Sequence, residues 1–491
     1  MSDVYIRRLA RGTLLPPFAG PRPPRWLLDE LDHGLAGVTL FAINGNVAGA
    51  DELARLTALL RRGARPGEPI IAIDEEGGDV TRLWHRTGST YPGNAALGAV
   101  DDPELTRRVY RSMGGKLAEV GVNVDFAPAV DVNTADDNPI IGTRAFGADA
   151  GLVARHAAAA VTGLQSAGVA ASAKHFPGHG ATREDSHLGI PVVNADLALL
   201  ERRELVPFRA AIDAGCQAVM TGHLSLPAIT GSEPATLSHA AITGLLRRHL
   251  GYQGVIVTDA LDMGGASGDI GIPEAAVRAL LAGADLLCLG SKEYAASVRA
   301  ILDAICAAVR SKRLPCERLE ESAERTEGLR QWLSCRPARA GETDGTVGLE
   351  AARRAVRLTG TPPAMGSALV VEFHAPGSAA VGPVPWGLGA WANDIVKVNG
   401  DRIDAADVLK RATGRPLIIV VRDAHRHPAQ RTLTSTLLVR RPDAVVVEMG
   451  LPIWRPACAA YVATYGATQA TARAAAELLG LGPSTVVAPP S

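Results

Sequence analysis

Short apolar runs rich in β-forming residues recur roughly every 35 to 50 residues along this chain, separated by stretches with helical spacing. Eight such runs lie at residues 6–15, 37–41, 70–73, 122–126, 169–174, 218–223, 254–258 and 284–289. The alternation is typical of parallel α/β folds, and eight repeats predict a (β/α)8 TIM-like barrel instead of an open sheet.

Several of these runs end in polar residues. Asp74, Lys174 with His175, His223 and Asp259 each end an apolar run. The active sites of (β/α)8 barrels are built at the carboxyl ends of the strands, so these side chains are candidates for chemistry. A carboxylate at a strand end also caps the following helix in many proteins, and this alternative stays open for Asp74 and Asp259.

At 491 residues the chain is too long for one ordinary core. The segment 335–345 is small, polar and aperiodic and therefore predicts a linker. We expect a catalytic barrel over 1–335, a linker over 336–348 and an α/β sandwich accessory domain over 349–491. The strand-like runs of that domain lie at 368–372, 417–421 and 444–448, with a helical stretch at 468–481.

Composition narrows the class of partner. The 50 basic and 51 acidic side chains leave a net charge of −1, so no overall field draws the chain to nucleic acid or to an anionic membrane. The six cysteines are scattered, which argues against disulfides and zinc knuckles. The amino terminus has no apolar leader, and no run approaches the ~18 apolar residues of a membrane helix. We expect a cytoplasmic protein that binds a small molecule, without cofactor or metal.

One segment concentrates glycine, proline and ionisable side chains, which suits a shaped loop. Pro177 fixes one backbone angle, and Gly178 and Gly180 tolerate close approaches that side chains forbid. Asp185 and His187 lie two residues apart, so the carboxylate can orient the imidazole and set its basicity. The pattern predicts a proton-transfer dyad. Its alternative is an ordinary loop histidine.

A metal site is a further alternative for this loop. His175 and His179, with Asp185 and His187, are ligand types that suit zinc. Their spacing lacks the helical H-E-x-x-H pattern of a zinc protease, which argues against this interpretation.

The same loop resembles the signature of bacterial β-N-acetylglucosaminidases of glycoside hydrolase family 3, the NagZ type. The resemblance rests on K-H-F-P-G-H-G at 174–180 and D-S-H at 185–187, and on further segments at 74–82, 138–146, 234–238 and 255–263. These segments follow the family's order and cover about residues 10–330. The resemblance implies an exo-acting, retaining enzyme of carbohydrate metabolism that releases terminal N-acetylglucosamine from saccharides, as in peptidoglycan recycling.

The resemblance also implies roles for single residues. Asp259 is the implied nucleophile, and His187, supported by Asp185, is the implied general acid and base. The implied sugar-binding residues are Asp74, Arg82, Arg144, Lys174 and His175. Asp79 departs from the family, because many relatives carry arginine at this position.

Other functions stay open at this point. A histidine in place of a carboxylate removes a charge that would repel phosphate, so a phosphorylase is the first alternative. A β-glucosidase of the same family is another, and a non-catalytic sugar-binding or regulatory protein is a third. Some β-glucosidases of the family take the acid from the second domain, which makes Glu448 an alternative acid, but its strand-end setting favours a structural role. Every matched segment lies within residues 1–335, so we expect the catalytic set to be complete there. The aglycone is not indicated: a muropeptide, a chitin fragment or a decorated metabolite would each fit.

Overall fold

The computed structural model describes residues 2–64, 67–184, 189–268, 270–292, 294–336, 344–374, 380–382, 387–399 and 404–482. Two predicted site residues, Asp185 and His187, lie outside these residues, as do residues 337–343 of the predicted linker. The described chain divides into two compact units. The first unit holds Met1–Glu76, Thr106–Ile141 and Gly147–Asp344, and the second holds Gly77–Leu105, Gly142–Phe146 and Gly345–Ser491.

The described part of the first unit contains eight short parallel strands that form a ring. They are β1 (Leu14–Leu15), β2 (Gly37–Thr39), β3 (Ile70–Ile73), β4 (Val124–Asp125), β5 (Ala170–Phe176), β6 (Ala218–Thr221), β7 (Val255–Thr258) and β8 (Leu287–Cys288). Strands β2 to β7 pair in chain order, and β1 pairs with β8. A bridge between Val257 and Leu286 joins β7 to β8, and the Thr39 amide donates to Pro16 O at 3.2 Å beside β1. The predicted (β/α)8 barrel is confirmed.

Helices alternate with the strands over residues 2–336, although residues 77–105 and 142–146 of this range group with the second unit. The α-helices are α1 (Asp3–Arg11), α2 (Arg25–Asp32), α3 (Ala50–Gly63), α4 (Asn94–Val100), α5 (Pro103–Glu119), α6 (Ala150–Ser166), α7 (Leu197–Arg202), α8 (Leu205–Asp213), α9 (Pro227–Thr230), α10 (Gly264–Ser267), α11 (Ile272–Ala282), α12 (Ala295–Arg310) and α13 (Cys316–Cys335). A π-helix spans Ala240–His249, and 3₁₀ turns lie at Ala42–Asn44, Gly142–Arg144 and Ala235–Leu237.

The expected first strand over 6–15 was wrong for most of its length. Its beginning belongs to α1, where Ser2 caps the helix by accepting from the Tyr5 amide. Ile6, Leu9 and Ala10 are buried on one face. This spacing is that of an amphipathic helix, and only the two residues of β1 enter the barrel wall.

Alternate side chains of the strands fill the barrel interior, which is the arrangement expected of a packed barrel. This core includes Leu15, Ile70, Val124, Met220 and Val257, all nearly inaccessible to solvent. Strand β5 is buried along its whole length and continues beyond the apolar run that predicted it. Two ionisable residues, Lys174 and His175, therefore lie within the wall and need partners.

The described part of the second unit is a sheet between two helical layers. Its strands are β9 (Arg357–Gly360), β10 (Leu369–Phe373), β11 (Ile395–Val398), β12 (Leu417–Val421), β13 (Val445–Glu448) and β14 (Ala460–Ala463), in the order β11-β10-β12-β13-β14-β9. Neighbours are parallel except β14 and β9. The helices are α14 (Val347–Ala355), α15 (Ala405–Arg411), α16 (Pro428–Arg440) and α17 (Gln469–Leu478), with 3₁₀ turns at Gly389–Trp391 and Ala424–Arg426.

Each face of this sheet carries its own apolar core. Val370 and Val447 contribute to one core, and Val371 and Val446 to the other. The predicted α/β sandwich is thereby confirmed. Helix α4 groups with this unit, although the sequence assigned its residues to the barrel. The domain boundaries 1–335 and 349–491, with a linker over 336–348, stay a prediction. Among the described residues, no helix combines the length and apolar character needed to cross a bilayer.

Candidate active site

A buried lysine of β5 joins two carboxylates that follow β3, the strand two places away in the barrel. Lys174 Nζ lies 2.7 Å from Asp74 Oδ1, directly after β3, and 2.7 Å from Glu76 Oε1. The side chain of Lys174 is 2% exposed, whereas that of Asp74 is 21% exposed. Two opposite charges at this distance favour the ammonium form of the lysine. Asp74 thus presents an oriented, partly accessible carboxylate that can accept hydrogen bonds from a polyol.

The next residue along β5, His175, is oriented by a carboxylate that the sequence interpretation did not use. His175 Nδ1 lies 2.8 Å from Asp131 Oδ2, and Asp131 Oδ1 accepts from the backbone amides of His175 (3.2 Å) and His179 (2.7 Å). Burial acts to raise the pKa of the Asp131 carboxyl, but the charge of His175 and these donors outweigh burial and lower the pKa. A charged Asp131 only accepts, so His175 Nδ1 carries a hydrogen.

His179 lies close to His175, with ring centroids 6.1 Å apart. Its Nδ1 is 2.6 Å from Thr182 Oγ1, and its amide is bound by Asp131. These contacts agree with the interpretation that His179 shapes the loop. In the described part of the chain, no group of three or more His, Cys, Asp or Glu side chains is arranged to hold a metal ion.

Asp259 directly follows β7 and is partly exposed. Its amide donates to Thr221 O at 3.2 Å, and its Oδ1 accepts from the Ala260 amide at 2.7 Å. Burial raises the pKa of the Cys288 thiol on β8 to about 12, and the charges of Asp74 and Asp259 both act in the same direction. Asp259 and Asp74 both directly follow parallel strands of the barrel, so the two carboxylates lie at the same end of the strands.

A chain of hydrogen bonds supports the turn that carries Asp259. The hydroxyls of Thr221 and Thr236 are 2.8 Å apart, and Thr236 Oγ1 lies 2.9 Å from His223 Nδ1. The other ring nitrogen of His223 lies 3.0 Å from Ala260 O. His223, which the sequence marked only as a strand-end residue, is thus fully buried and engaged at both nitrogens.

Asp262, three residues after Asp259, and Glu448, the alternative acid, both have structural contacts. Asp262 Oδ2 accepts from the Ser291 amide at 2.9 Å and from the Lys292 amide at 3.3 Å, which holds the loop after β8. Glu448, in the second unit, is inaccessible and accepts from backbone amides, including those of Asp423 and Gly450. Burial and the neighbouring Asp423 charge raise the pKa of Glu448 to about 8.

The remaining sugar-binding candidates, Arg82 and Arg144, belong to the second unit. Arg82 Nη2 donates to Ala380 O at 2.9 Å. Arg144 is buried, and its carbonyl accepts from Asn94 Nδ2 at 2.7 Å. Asp79 is also buried in this unit and bound by protein donors.

Sequence reasoning missed three carboxylates that support the site. Glu76 shares Lys174, Asp131 holds His175, and Asp125 Oδ1 accepts from the Glu75 amide at 2.9 Å. Burial raises the pKa of Asp125 well above its usual range. Asp125 and Asp131 both lie in or directly after apolar runs, and this signal could have identified them as strand-end residues.

Comparison with known proteins gives consistent relatives. Beta-hexosaminidase A of Pseudoalteromonas piscicida is 33% identical over 345 residues, a match that covers 66% of this chain but only 57% of that protein. Beta-hexosaminidase LpqI of Mycobacterium tuberculosis is 38% identical over 301 residues, 59% of this chain and 76% of that one.

Structural similarity extends over nearly the whole chain. A glycoside hydrolase family 3 β-N-acetylglucosaminidase from Paenibacillus sp. FPU-7 superposes with a TM-score of 0.86 at 32% identity, covering 97% of each chain. The model of the glycosyl hydrolase family 3 N-terminal domain matches residues 28–329, which is more than half of the sequence. The chain therefore belongs to glycoside hydrolase family 3.

Proposed function

We propose that this chain is a retaining exo-β-N-acetylglucosaminidase that hydrolyses terminal, non-reducing, β-linked N-acetylglucosamine. The observation that carries the proposal is the partly exposed Asp259 directly after β7, at the same end of the barrel strands as the Asp74 carboxylate that binds Lys174. The 32% identity to the Paenibacillus enzyme across 97% of this chain supports the choice of sugar.

The first step joins a carboxylate oxygen of Asp259 to the electron-poor anomeric carbon. A carboxylate oxygen attacks that carbon, the glycosidic bond breaks, and the leaving oxygen takes a proton from His187. The glycosyl-enzyme is then attacked by water, whose proton passes to the same imidazole, and Asp259 leaves as a carboxylate. Asp185 supports the imidazolium that forms when His187 holds the proton. The roles of Asp185 and His187 rest on the sequence signature.

The sugar-binding set combines acceptors and donors, as a polyol requires. Asp74 accepts from hydroxyls, while Lys174 supplies a charged donor whose position is set by two carboxylates. The Asp131 contact orients the His175 ring. Arg82 and Arg144 contribute further donors in this proposal.

A panel of aryl β-glycosides that differ only at the 2-position tests the proposed function. We expect the N-acetylglucosaminide to be turned over with a kcat/KM at least about tenfold above that of the glucoside, because a pocket that binds the acetamido group leaves polar atoms unpaired without it. Product anomers observed early in the reaction should retain the β configuration. Preference for the glucoside, or inversion, would refute the proposal.

The phosphorylase alternative is tested by the same substrates with and without phosphate. If water attacks the glycosyl-enzyme, the free sugar should form at the same rate with and without phosphate. A sugar 1-phosphate as main product would show that phosphate, not water, attacks the glycosyl-enzyme.

A further inference from the structure

One buried carboxylate in the second unit ties together three distant stretches of chain. Asp79 Oδ2 accepts from the Thr143 hydroxyl at 2.6 Å and from Arg422 Nη2 at 2.7 Å. Asp79 Oδ1 accepts from the Ala467 amide at 2.9 Å. The side chain of Asp79 is 2% exposed and that of Arg422 is 10% exposed. The pair is thus a buried ion pair whose acid carries additional hydrogen bonds, the arrangement that burial of charge requires.

The same carboxylate contacts or belongs to the chain segments that carry both arginines of the proposed sugar-binding set. Asp79 precedes Arg82 by three residues, and Thr143 is the immediate neighbour of Arg144. A second hydrogen bond joins the stretch 77–105, which contains Arg82, to the stretch 142–146, because Asn94 Nδ2 donates to Arg144 O at 2.7 Å. The course of the backbone at Arg82 and at Arg144 is therefore set through one hydrogen-bonded carboxylate.

Close backbone approaches show that these stretches have little freedom to adjust. A Cβ on Gly98 would meet Phe146 O at 1.8 Å, and one on Gly78 would meet Gly93 Cα at 2.6 Å. The Arg82 guanidinium itself donates to Ala380 O at 2.9 Å. If the contacts of the Asp79 carboxylate are lost, a small local shift of this closely packed backbone cannot compensate for them.

We propose that Asp79 and Arg422 form a positioning pair through which the carboxy-terminal domain sets the placement of Arg82 and Arg144 for sugar binding. The proposal rests on the proposed function for its substrate. Asp79 contacts protein donors, and its effect on the sugar is indirect.

Kinetics of full-length variants provide the first test. Asp79→Asn and Arg422→Met should raise KM for an activated aryl β-N-acetylglucosaminide roughly 10- to 100-fold, with a smaller change in kcat, because misplaced binding groups weaken the complex. Arg422→Lys keeps the charge but loses the planar guanidinium, so its KM should be intermediate. This variant retains a buried cation and covers the case in which Asp79→Asn does not fold.

The matched control is Asp394→Asn, which removes another carboxylate of the second unit. Asp394 pairs with Arg411 and Arg415, both within the carboxy-terminal sequence. The control should lower thermal stability without raising KM. If it raises KM as much as Asp79→Asn does, general destabilisation explains the effect and the proposal fails.

A second test separates positioning from stability. In an Arg82→Ala/Arg144→Ala background, adding Asp79→Asn should change KM by less than about threefold, since the side chains that the pair positions are already absent. A full, additive increase in KM would overturn the proposal.

Amide hydrogen exchange gives a readout that does not require activity. Asp79→Asn should speed exchange in peptides covering residues 142–146, relative to Asp394→Asn, because the Thr143 contact is lost. Unchanged exchange at 142–146 would contradict the proposal even in an active enzyme. If the wild type turns over no glycoside while exchange increases as expected, the proposed function fails and the structural role of the pair stands.

Discussion

Lys174 shows how a charged side chain is accommodated within a barrel wall. Burial of an isolated ammonium costs several kcal/mol, and two carboxylates at 2.7 Å offset this cost. Removing either Asp74 or Glu76 leaves the other to balance the charge. The two are not equivalent, because only Asp74 is appreciably exposed. Glu76 thus serves mainly to retain the charge of Lys174.

The nucleophile prediction is specific to one residue. Asp259→Asn should leave the fold intact and lower turnover by several powers of ten, because an amide cannot form the glycosyl-enzyme. A 2-fluoro glycoside should label the wild type on the peptide that contains residue 259, as mass spectrometry would show. Labelling of the Asn variant, or of another peptide, would exclude Asp259 as the nucleophile.

His187→Ala should reduce turnover most with poor leaving groups, which need protonation, and much less in the glycosylation of activated ones. Azide, which attacks without deprotonation, should restore the second step. Asp185→Asn should act in the same direction but more weakly. Equal losses for both leaving-group classes without azide rescue would show that His187 is a structural residue.

Asp131 supports a pH prediction. Its pKa is lowered in the folded chain, so its contribution to stability is present above the unfolded pKa of about 4 and is lost as pH falls through the folded pKa. Asp131→Asn should cost about 1 to 3 kcal/mol at pH 7. The urea midpoints of variant and wild type should converge as the pH falls below about 4. A difference independent of pH would show that Asp131 is not a stabilising anion.

At the scale of elements, the two ends of the barrel strands carry different tasks. The carboxyl ends hold the candidate site, while the loop before β8 carries Asp285, an inaccessible carboxylate. Asp285 accepts from Arg247 of the π-helix and, at 2.6 and 3.1 Å, from Arg318 and Arg325 of α13. It also accepts from the Ile256 amide of β7 at 3.0 Å. Helix α13 is therefore joined to the barrel at the end opposite the site.

Asp285→Asn should accordingly affect stability and not chemistry. Loss of the buried charge leaves three arginines facing each other, and we expect a loss of about 3 to 5 kcal/mol, with KM nearly unchanged in the folded fraction. Glu321→Gln is the matched control, because Glu321 pairs with Arg318 and Arg325 while 54% exposed. The control should cost at most about 1 kcal/mol. Similar unfolding midpoints for the two variants would contradict this assignment.

At the scale of the whole molecule, the second unit takes in chain from both halves of the sequence. Residues 77–105 and 142–146 group with the carboxy-terminal residues, and the Asp102–Arg354 ion pair at 2.9 Å adds to the contacts of Asp79. Sequence alone led us to expect a complete catalytic set within 1–335, since every matched segment lies there. The contacts of the second unit give a physical reason to expect that residues beyond 335 are also needed, because they support the stretches that carry Arg82 and Arg144.

A chain that ends at Gln331 lacks Arg422 and Ala467, two donors to Asp79, and Ala380, which binds Arg82. We expect kcat/KM to fall at least about 100-fold, because the arginine-bearing stretches lose their supports. Circular dichroism should establish that the truncated chain is folded before its kinetics are compared. A folded truncated chain with the KM of the full-length protein would restore the expectation drawn from the sequence.

Local patterns were sufficient for the barrel and for part of the site. Apolar runs followed by helical spacing arise from neighbours in the chain, so β3 (Ile70–Ile73) and β12 (Leu417–Val421) could be predicted to the residue. Strand ends also follow from local pattern, which is why Asp74 and Asp259 were singled out. Strands β9, β11 and β14 were missed. Arg357–Gly360 is mostly exposed, β11 is interrupted by the exposed Lys397, and β14 begins and ends with alanine, which is depleted in strands.

The sequence by itself thus determined the alternation of elements, the residue types at the strand ends and the family signature, since each is a property of short stretches of chain. Only the tertiary structure decided which side chains meet. Lys174 and Asp74 are 100 residues apart, and Asp79 and Arg422 are 343 apart. Neither separation leaves a periodic trace, because such pairs form only when packing removes both charges from water and each must find the other.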